Sequence, residues 1–260
     1  MFYCLKLILF LLITVPAALL TILLGLFDAH GKLAYRFSRS WTALILNMGG
    51  VALKVVGREN IDPSRQYVFM VNHQSNIDIP VLVQSLMNFQ LRWIAKRELL
   101  WIPFFGWAMW ASKHITVNRA DPFNAVRSFQ RARERIAAGI SVVVFPEGTR
   151  SRDGKLLRFK KGGFLLAVQA NRPIVPVTIN GSRLALPAGA WRLRGGIIEV
   201  IISKPIAVEG FRPGNLRHLS AQVREAIERH LLSNGAQPPE TAPNPSEAIA
   251  GNNPLEKRSI

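Results

Sequence analysis

Cysteine is almost absent from this chain, and its scarcity excludes several kinds of active site. Cys4 is the only cysteine among 260 residues, and it lies in an apolar stretch where a reactive thiolate is disfavoured. It has no partner for a disulfide or a cysteine-rich metal site. The pattern Gly-x-Ser-x-Gly, typical of a nucleophilic serine, does not occur. Four histidines show no metal-ligand spacing with the fifth, His73: they are His30, His114, His218 and His230. We therefore expect no protein nucleophile, no bound metal and no cofactor.

Acidic residues are also scarce. The chain has 16 Asp and Glu against 33 Lys and Arg, so its formal net charge is +17 and its isoelectric point is near 11.2. Such a charge suits either nucleic acid or an anionic membrane. Signatures of helix-turn-helix, zinc-finger and aromatic RNA-binding modules are missing, and the basic residues are spread from Lys32 to Arg229. We therefore predict a membrane surface and phosphate-bearing ligands as partners, and no nucleic acid.

The N-terminal segment is long enough to enter a membrane. Residues 7–27 contain no charged side chain, and their helical length of roughly 30 Å would match a hydrocarbon core. Pro16 would kink such a helix, which leaves a tilted or half-inserted segment open. The residues that follow, 28–32, make a poor cleavage site, so we expect a retained anchor rather than a signal peptide.

A second apolar segment, residues 41–56, is expected to complete a helical hairpin on or in the membrane, although its Gly49-Gly50 pair weakens a long span. Only Lys6 precedes the first segment, whereas many basic residues follow it. The positive-inside rule therefore places the main domain on the cytoplasmic side of the inner membrane. Residues 101–110 contain an aromatic cluster: Trp101, Phe104, Phe105, Trp107 and Trp110. Some of these rings are expected to pack in the core, and two or three to meet the bilayer interface or line an acyl path.

Runs of valine and isoleucine predict an α/β domain with a mostly parallel central sheet flanked by helices. The expected strands are residues 66–71, 91–95, 142–145, 174–179 and 197–202, and amphipathic helices are expected at residues 123–138 and 216–232. The chain is thereby divided into membrane-associated helices at residues 1–56, one domain at residues 57–233 and a disordered tail at residues 234–260.

The sequence Asn-His-Gln-Ser-Asn-Ile-Asp at residues 72–78 follows one of these strands. His73 can accept a proton near neutral pH, and Asp78 can orient the imidazole and stabilise its protonated form. Their spacing predicts a loop-to-helix junction capped by Ser75 or Asn76. Taken alone, the pair is better explained as an ordinary polar turn, so a second motif is needed to indicate catalysis.

That second motif, Phe-Pro-Glu-Gly-Thr-Arg-Ser at residues 145–151, also follows a strand. Ligands of open α/β sheets bind at the carboxyl ends of strands. Gly148 permits close backbone approach, whereas Thr149 and Arg150 supply a hydroxyl and a guanidinium suited to a phosphate. An exposed turn with a surface arginine is the alternative. The same anionic headgroup could also be bound by Arg119, which follows a short strand-like segment, and by the pair Lys160-Lys161. Lysines of this kind are often only solvated surface charges.

Two further motifs appear between and after these: Ile-Thr-Val-Asn-Arg at residues 115–119 and Ile-Val-Pro-Val at residues 174–177. Together with the basic block at residues 159–163, the four ordered motifs resemble the glycerolipid acyltransferase family, specifically its 1-acyl-sn-glycerol-3-phosphate acyltransferases. The resemblance covers residues 57–205. One departure is Asn118, where many members carry an aspartate.

The resemblance implies a single glycerolipid-acyltransferase-like α/β domain. It implies that His73, supported by Asp78, deprotonates the 2-hydroxyl of lysophosphatidate, which then attacks the thioester of acyl-CoA or acyl carrier protein to give phosphatidate. The implied substrate-binding residues are Arg119, Glu147, Gly148, Thr149, Arg150, Lys160 and Lys161. Two alternatives remain: another acceptor, such as glycerol-3-phosphate or a lyso-ornithine lipid, and a non-catalytic basic protein that binds anionic membranes.

Overall fold

The computed structural model describes residues 2–117, 122–190 and 192–232. Seven strands lie within these residues: β1 Val51–Val56, β2 Val68–Val71, β3 Leu91–Lys96, β4 Ile115–Val117, β5 Ser141–Val144, β6 Ile174–Asn180 and β7 Gly196–Ile202. The α-helices there are α1 Phe2–Leu26, α2 Lys32–Met48, α3 Asp78–Ser85, α4 Phe105–Ala111, α5 Pro122–Ala137, α6 Gly162–Gln169, α7 Ser182–Ala185 and α8 Leu216–Glu228.

The strands form one sheet in the order β1-β7-β6-β2-β5-β3-β4. Every neighbouring pair in it is parallel except β6 and β7. The mostly parallel α/β architecture is therefore confirmed. In the centre, Met70 of β2 is in register with Val144 of β5 and with Pro176 of β6. This pairing brings the carboxyl ends of β2 and β5 side by side, where the first two motifs begin.

Two hydrophobic cores cover the two faces of the sheet. Successive side chains of a strand point to opposite faces, so Phe69 packs with Leu82 on the side of α2 and α3. Met70 points the other way and packs with Phe164 and Val223 on the side of α5, α6 and α8. Because β2 is buried on both faces, its sequence is continuously apolar, as parallel strands require.

The predicted segment at residues 41–56 is not helical throughout. Helix α2 ends at Met48, and Gly50 adopts a left-handed φ of 65°. The valine-rich residues that follow form β1, which pairs with β7 in the sheet. The physical reason is that glycine terminates the helix cheaply, whereas β-branched valines favour an extended backbone. The helical hairpin therefore ends before the boundary expected at residue 56, and the predicted tail at residues 234–260 lies outside the described residues.

The N-terminal hairpin is docked on the domain. Helix α1 packs against α2 and α4, and it approaches α4 so closely that a Cβ at Gly25 would lie 2.6 Å from the carbonyl oxygen of Ala111. Buried Arg92 of β3 donates a hydrogen bond of 2.7 Å to the carbonyl of His30, between α1 and α2. Residues Ile8–Leu26 are long and apolar enough to cross a membrane, with a mean hydropathy of 2.6.

One side of this region is an exposed apolar surface. On α1 the exposed side chains include Leu12, Leu19 and Leu23, and Phe27 beyond its end is 82% exposed. The neighbouring aromatic side chains Trp101, Trp107 and Trp110 are exposed as well. We call this surface, made by α1 and residues 97–111, the apolar platform.

Candidate active site

The first motif is held at the end of β2 by its asparagine. The Asn72 side-chain oxygen accepts a hydrogen bond of 2.8 Å from the backbone N–H of Ile179. Its amide nitrogen donates one of 2.9 Å to the Ile179 carbonyl. The side chain thereby imitates a further pair of strand residues between β2 and β6. This contact, which sequence reasoning missed, fixes the point from which His73 projects.

His73 and Asp78 are in direct contact. The Nδ1 atom of His73 lies 2.8 Å from Oδ2 of Asp78, and Asp78 is completely buried. The same carboxylate oxygen accepts the backbone N–H groups of Gln74 at 2.8 Å and Ser75 at 2.9 Å. An ionised carboxylate can only accept hydrogen bonds, so Nδ1 carries the proton and Nε2 keeps its lone pair. The arrangement therefore gives His73 the tautomer of a general base.

The pair lies at a loop-to-helix junction as expected, but the predicted cap is wrong. Asp78 is the first residue of α3, and Ile77 rather than Ser75 or Asn76 is the N-cap residue. The physical reason is that both side chains are engaged elsewhere. The Ser75 hydroxyl donates to the Leu186 carbonyl and accepts only the N–H of Ile77, one residue before the helix, and Oδ1 of Asn76 accepts from Arg150.

The second motif contacts both the imidazole ring and the backbone of His73. The Phe145 ring stacks on His73 with centroids 3.8 Å apart and planes inclined by 15°. Oε1 of Glu147 accepts the backbone N–H of His73 at 2.9 Å, and Oε2 accepts the backbone N–H of Leu157 at 2.8 Å. The Ser151 N–H donates to the His73 carbonyl at 2.7 Å. The two motifs are thus joined by hydrogen bonds on both sides of His73.

Glu147 is buried and bonded within the protein. Its side chain is only 2% exposed. Burial raises the pKa of its carboxyl above the ordinary value of 4.5, and the two backbone donors oppose that rise. Because both carboxylate oxygens accept protein N–H groups, the geometry favours a role in organising the site. Direct substrate contact by Glu147, which the family resemblance implied, stays a prediction.

The turn after Glu147 presents the cationic part of the site. Gly148 has a φ of 72°, and a Cβ there would lie 3.0 Å from Cε of Lys160. Lys160 therefore lies across the turn. Arg150 reaches back to the first motif, where its Nη1 donates to Oδ1 of Asn76 at 2.8 Å. Thr149 is exposed at the tip of the turn.

Lys160 and Lys161 precede α6, and both are exposed. Within the described part of the chain, neither they nor Arg150 forms an ion pair with a carboxylate. Their charges are available to an anionic ligand. Arg119, the remaining predicted residue, lies outside the described residues. In the ranges that the structure does describe, no three His, Cys, Asp or Glu side chains gather into a metal-ligand cluster.

Comparisons with known proteins give consistent results. A family model described as Acyltransferase matches residues 52–180. A 1-acyl-sn-glycerol-3-phosphate acyltransferase of Chlamydomonas reinhardtii is 34% identical over 184 residues, which are 69% of this chain and 54% of the relative. The human 1-acyl-sn-glycerol-3-phosphate acyltransferase alpha is 34% identical over 179 residues, 68% of this chain and 63% of the relative. The chain therefore spans only about half to two-thirds of the length of these curated relatives.

Structural comparison extends the similarity beyond the motifs. The crystal structure of the 1-acyl-sn-glycerophosphate (LPA) acyltransferase PlsC from Thermotoga maritima superimposes with a TM-score of 0.71 and 28% sequence identity. The match covers 89% of this chain and 96% of that chain. Such coverage is greater than the sheet and its helices alone would give.

Proposed function

Because the chain belongs to the acyltransferase family, we propose that it transfers a fatty acyl group to the 2-hydroxyl of 1-acyl-sn-glycerol-3-phosphate, giving phosphatidate. The observation that carries this proposal is the buried Asp78 carboxylate orienting His73, in a site whose loops also present Arg150 and Lys160. A fixed imidazole base beside cationic side chains suits an acceptor that has both a hydroxyl and a phosphate.

In the proposed reaction, Nε2 of His73 takes the proton of the acceptor 2-hydroxyl as its oxygen attacks the thioester carbonyl of acyl-CoA or acyl carrier protein. The carbon–sulfur bond then breaks, and the leaving thiolate receives the proton from the imidazolium. Asp78 keeps the ring oriented and stabilises its positive charge. A positioned base of this kind contributes roughly 10²–10⁴-fold to the rate enhancement. Holding both substrates together in the site supplies much of the remaining enhancement.

For the acceptor phosphate we propose Arg150, Lys160 and Lys161 as charged partners, with Thr149 and the Gly148 backbone completing the turn. Arg150 is the strongest of these because a guanidinium binds phosphate through two parallel hydrogen bonds. Arg119 is proposed from its motif alone. We assign Glu147 to holding the two motifs together, because its carboxylate oxygens accept the amides of His73 and Leu157.

An apolar cavity, which Asp78 does not line but its neighbour Ile79 does, supports an acyl substrate. Its volume is about 140 Å³, and it lies under the helical hairpin between α1, α2, α3, β3 and α4. Ile79 and Val83 of α3 line it, and Ile79 directly follows Asp78. Most of the wall is apolar, with Ala17, Ala18 and Met109 on the far side. Its volume is below the roughly 300–1,000 Å³ of typical ligand pockets, so this apolar space would take part of a hydrocarbon chain.

The apolar platform supports a membrane location for the reaction. Because α1 is packed against α2 and α4 rather than standing apart from the domain, we propose that it lies in one face of the bilayer. Exposed Trp101, Trp107 and Trp110 would then sit at headgroup depth, where tryptophan is favoured. We propose the cytoplasmic face of the inner membrane, because its anionic lipids would attract the basic residues that follow α1.

The decisive test is an assay of the purified protein with lysophosphatidate and, separately, acyl-CoA and acyl carrier protein as donors. Phosphatidate detected by mass spectrometry, and absent with His73→Ala, is the expected result. Glycerol-3-phosphate and a lyso-ornithine lipid are included as competing acceptors, and preference for either would reassign the substrate. Vesicle binding without transfer from any donor would instead favour a non-catalytic membrane protein.

A further inference from the structure

The segment Leu156, Leu157, Arg158, Phe159 and Lys160 connects the second motif to α6, and we call it the lysine-bearing segment. Its backbone is attached to the motif at two points. The Leu157 N–H donates to Oε2 of Glu147 at 2.8 Å, and the Lys160 N–H donates to the Pro146 carbonyl at 2.8 Å. The position of Lys160 over Gly148 therefore depends on where this segment lies.

Arg224, on helix α8, forms hydrogen bonds to the same segment from the opposite side. Its Nη1 donates to the Leu157 carbonyl at 2.9 Å and its Nη2 to the Leu156 carbonyl at 3.1 Å. The guanidinium carbon lies 5.4 Å from the ring centroid of Phe159. Nε is 2.8 Å from Oε1 of Glu228. All three guanidinium nitrogens are thus engaged, and two of them hold successive carbonyls.

This geometry requires the planar fork of arginine. A lysine ammonium is a single point donor that cannot hold two neighbouring carbonyls and lie flat on an aromatic ring in the same way. The side chain is about one-third exposed, and α8 is anchored independently by buried Leu219, Val223 and Ile227. Removing the guanidinium should therefore loosen the segment without detaching the helix.

We propose that Arg224 is a positioning residue for acceptor binding, which sets the position of Lys160 by holding the carbonyls of Leu156 and Leu157. This inference rests on the proposed function. The Leu157 peptide is bonded on both sides, with its N–H on Glu147 and its C=O on Arg224. Arg224 thereby links α8 to the site although it touches neither His73 nor Asp78.

The role predicts a specific kinetic signature. The His73–Asp78 pair keeps its own supports when Arg224 is changed, because Asp78 is held by two amides and Asn72 by β6. Proton transfer should therefore be preserved. Weakened contact between Lys160 and the acceptor phosphate would raise KM for that substrate while leaving kcat nearly unchanged.

The experiment compares Arg224→Lys and Arg224→Gln with the matched control Arg229→Gln. Arg229 directly follows α8 and is an exposed arginine paired with Glu225. We expect both Arg224 variants to raise KM for lysophosphatidate roughly fivefold to twentyfold, with Gln above Lys. The kcat and the KM for the acyl donor should stay within about twofold. The kcat and both KM values of Arg229→Gln should match those of the unaltered protein.

A second measurement is independent of turnover. Hydrogen–deuterium exchange of the full protein should show faster exchange at Leu157 and Lys160 in Arg224→Lys, with exchange in β2 unchanged. Glu228→Ala, which keeps the carbonyl contacts but removes the acceptor of Nε, should give a smaller rise in KM in the same direction. It also provides the test if Arg224→Gln fails to fold.

Unchanged KM for lysophosphatidate in folded Arg224→Lys would overturn the positioning role. A fall in kcat in proportion to the loss of folded protein would overturn it equally, because that result indicates a purely structural residue. Absence of transfer by the unaltered protein would refute the proposed function instead. The two failures are therefore distinguishable.

Discussion

Glu147 accepts the backbone N–H of His73 at 2.9 Å although the two residues are 74 positions apart. The contact joins the loop after β5 to the loop after β2, and the Glu147 carboxylate is buried where it does so. A buried carboxylate that holds the His73 loop should make folding stability depend on pH in a definite direction.

The first prediction concerns this pH dependence. Burial raises the folded-state pKa of Glu147 above its ordinary value of 4.5, so the folded protein holds the proton more tightly than the unfolded chain. The resulting stabilisation is present below about pH 4.5 and is lost as pH rises through the folded pKa. Relative to Glu147→Gln, the unaltered protein should therefore lose stability between about pH 4.5 and pH 7.5.

The effect is measured from the urea unfolding midpoints of both proteins at these two pH values. The stability difference between the proteins at one pH is subtracted from the difference at the other pH. Other carboxyl groups contribute equally to both proteins and cancel. A stability difference that does not change with pH, or that changes in favour of the unaltered protein as pH rises, would contradict the raised pKa.

The second prediction concerns the catalytic pair. His73→Ala removes the base, so turnover should fall by roughly 10²–10⁴-fold. Asp78→Asn should retain more activity than His73→Ala, because it leaves an imidazole whose orientation and tautomer are no longer enforced. Turnover is measured with lysophosphatidate and an acyl thioester, and circular dichroism verifies the fold. Near-normal turnover by folded His73→Ala would refute the mechanism.

The third prediction separates charge from geometry in phosphate binding. Arg150→Lys keeps the positive charge but loses the guanidinium fork, so kcat/KM for lysophosphatidate should fall about 10- to 100-fold. The loss should be smaller for an unphosphorylated acceptor, which never uses this contact. Exposed Arg152 provides the control, and Arg152→Lys should change neither value. Equal losses on both acceptors would assign Arg150 to the turn itself.

The fourth prediction tests the apolar platform. Leu12, Leu19 and Leu23 are exposed on α1, so replacing all three by glutamine should spare the fold while removing apolar area from the bilayer contact. We expect sedimentation with anionic vesicles to weaken without disappearing, because the tryptophans and basic surface remain. Val56→Gln, at an exposed position of β1, is the control. Unchanged sedimentation of the triple variant would exclude α1 from the membrane contact.

Much of the fold could be predicted because its signals are local. The five predicted strands agree with β2, β3, β5, β6 and β7 to within two residues, since a strand buried on both faces is continuously apolar. The family predicted from four ordered motifs is confirmed by the match over residues 52–180. Helices α4 and α6 were not predicted, and of α3 only its start, at the junction after His73, was expected. They are no longer than eight residues, too short for a clear helical period.

The sequence alone determined five of the seven described strands, the membrane-length apolar segment and the order of the motifs, because each depends on residues close together in the chain. It also predicted that His73 and Asp78 act as a pair once the second motif was recognised, and their contact is confirmed. Tertiary structure alone decided what Glu147, Phe145 and Arg224 contact. Arg224 and its partner Leu157 are 67 positions apart, and their meeting depends on strand order and on the side of the sheet that α8 covers. Local periodicity reports which face of an element is apolar, but not which distant backbone group that face will meet.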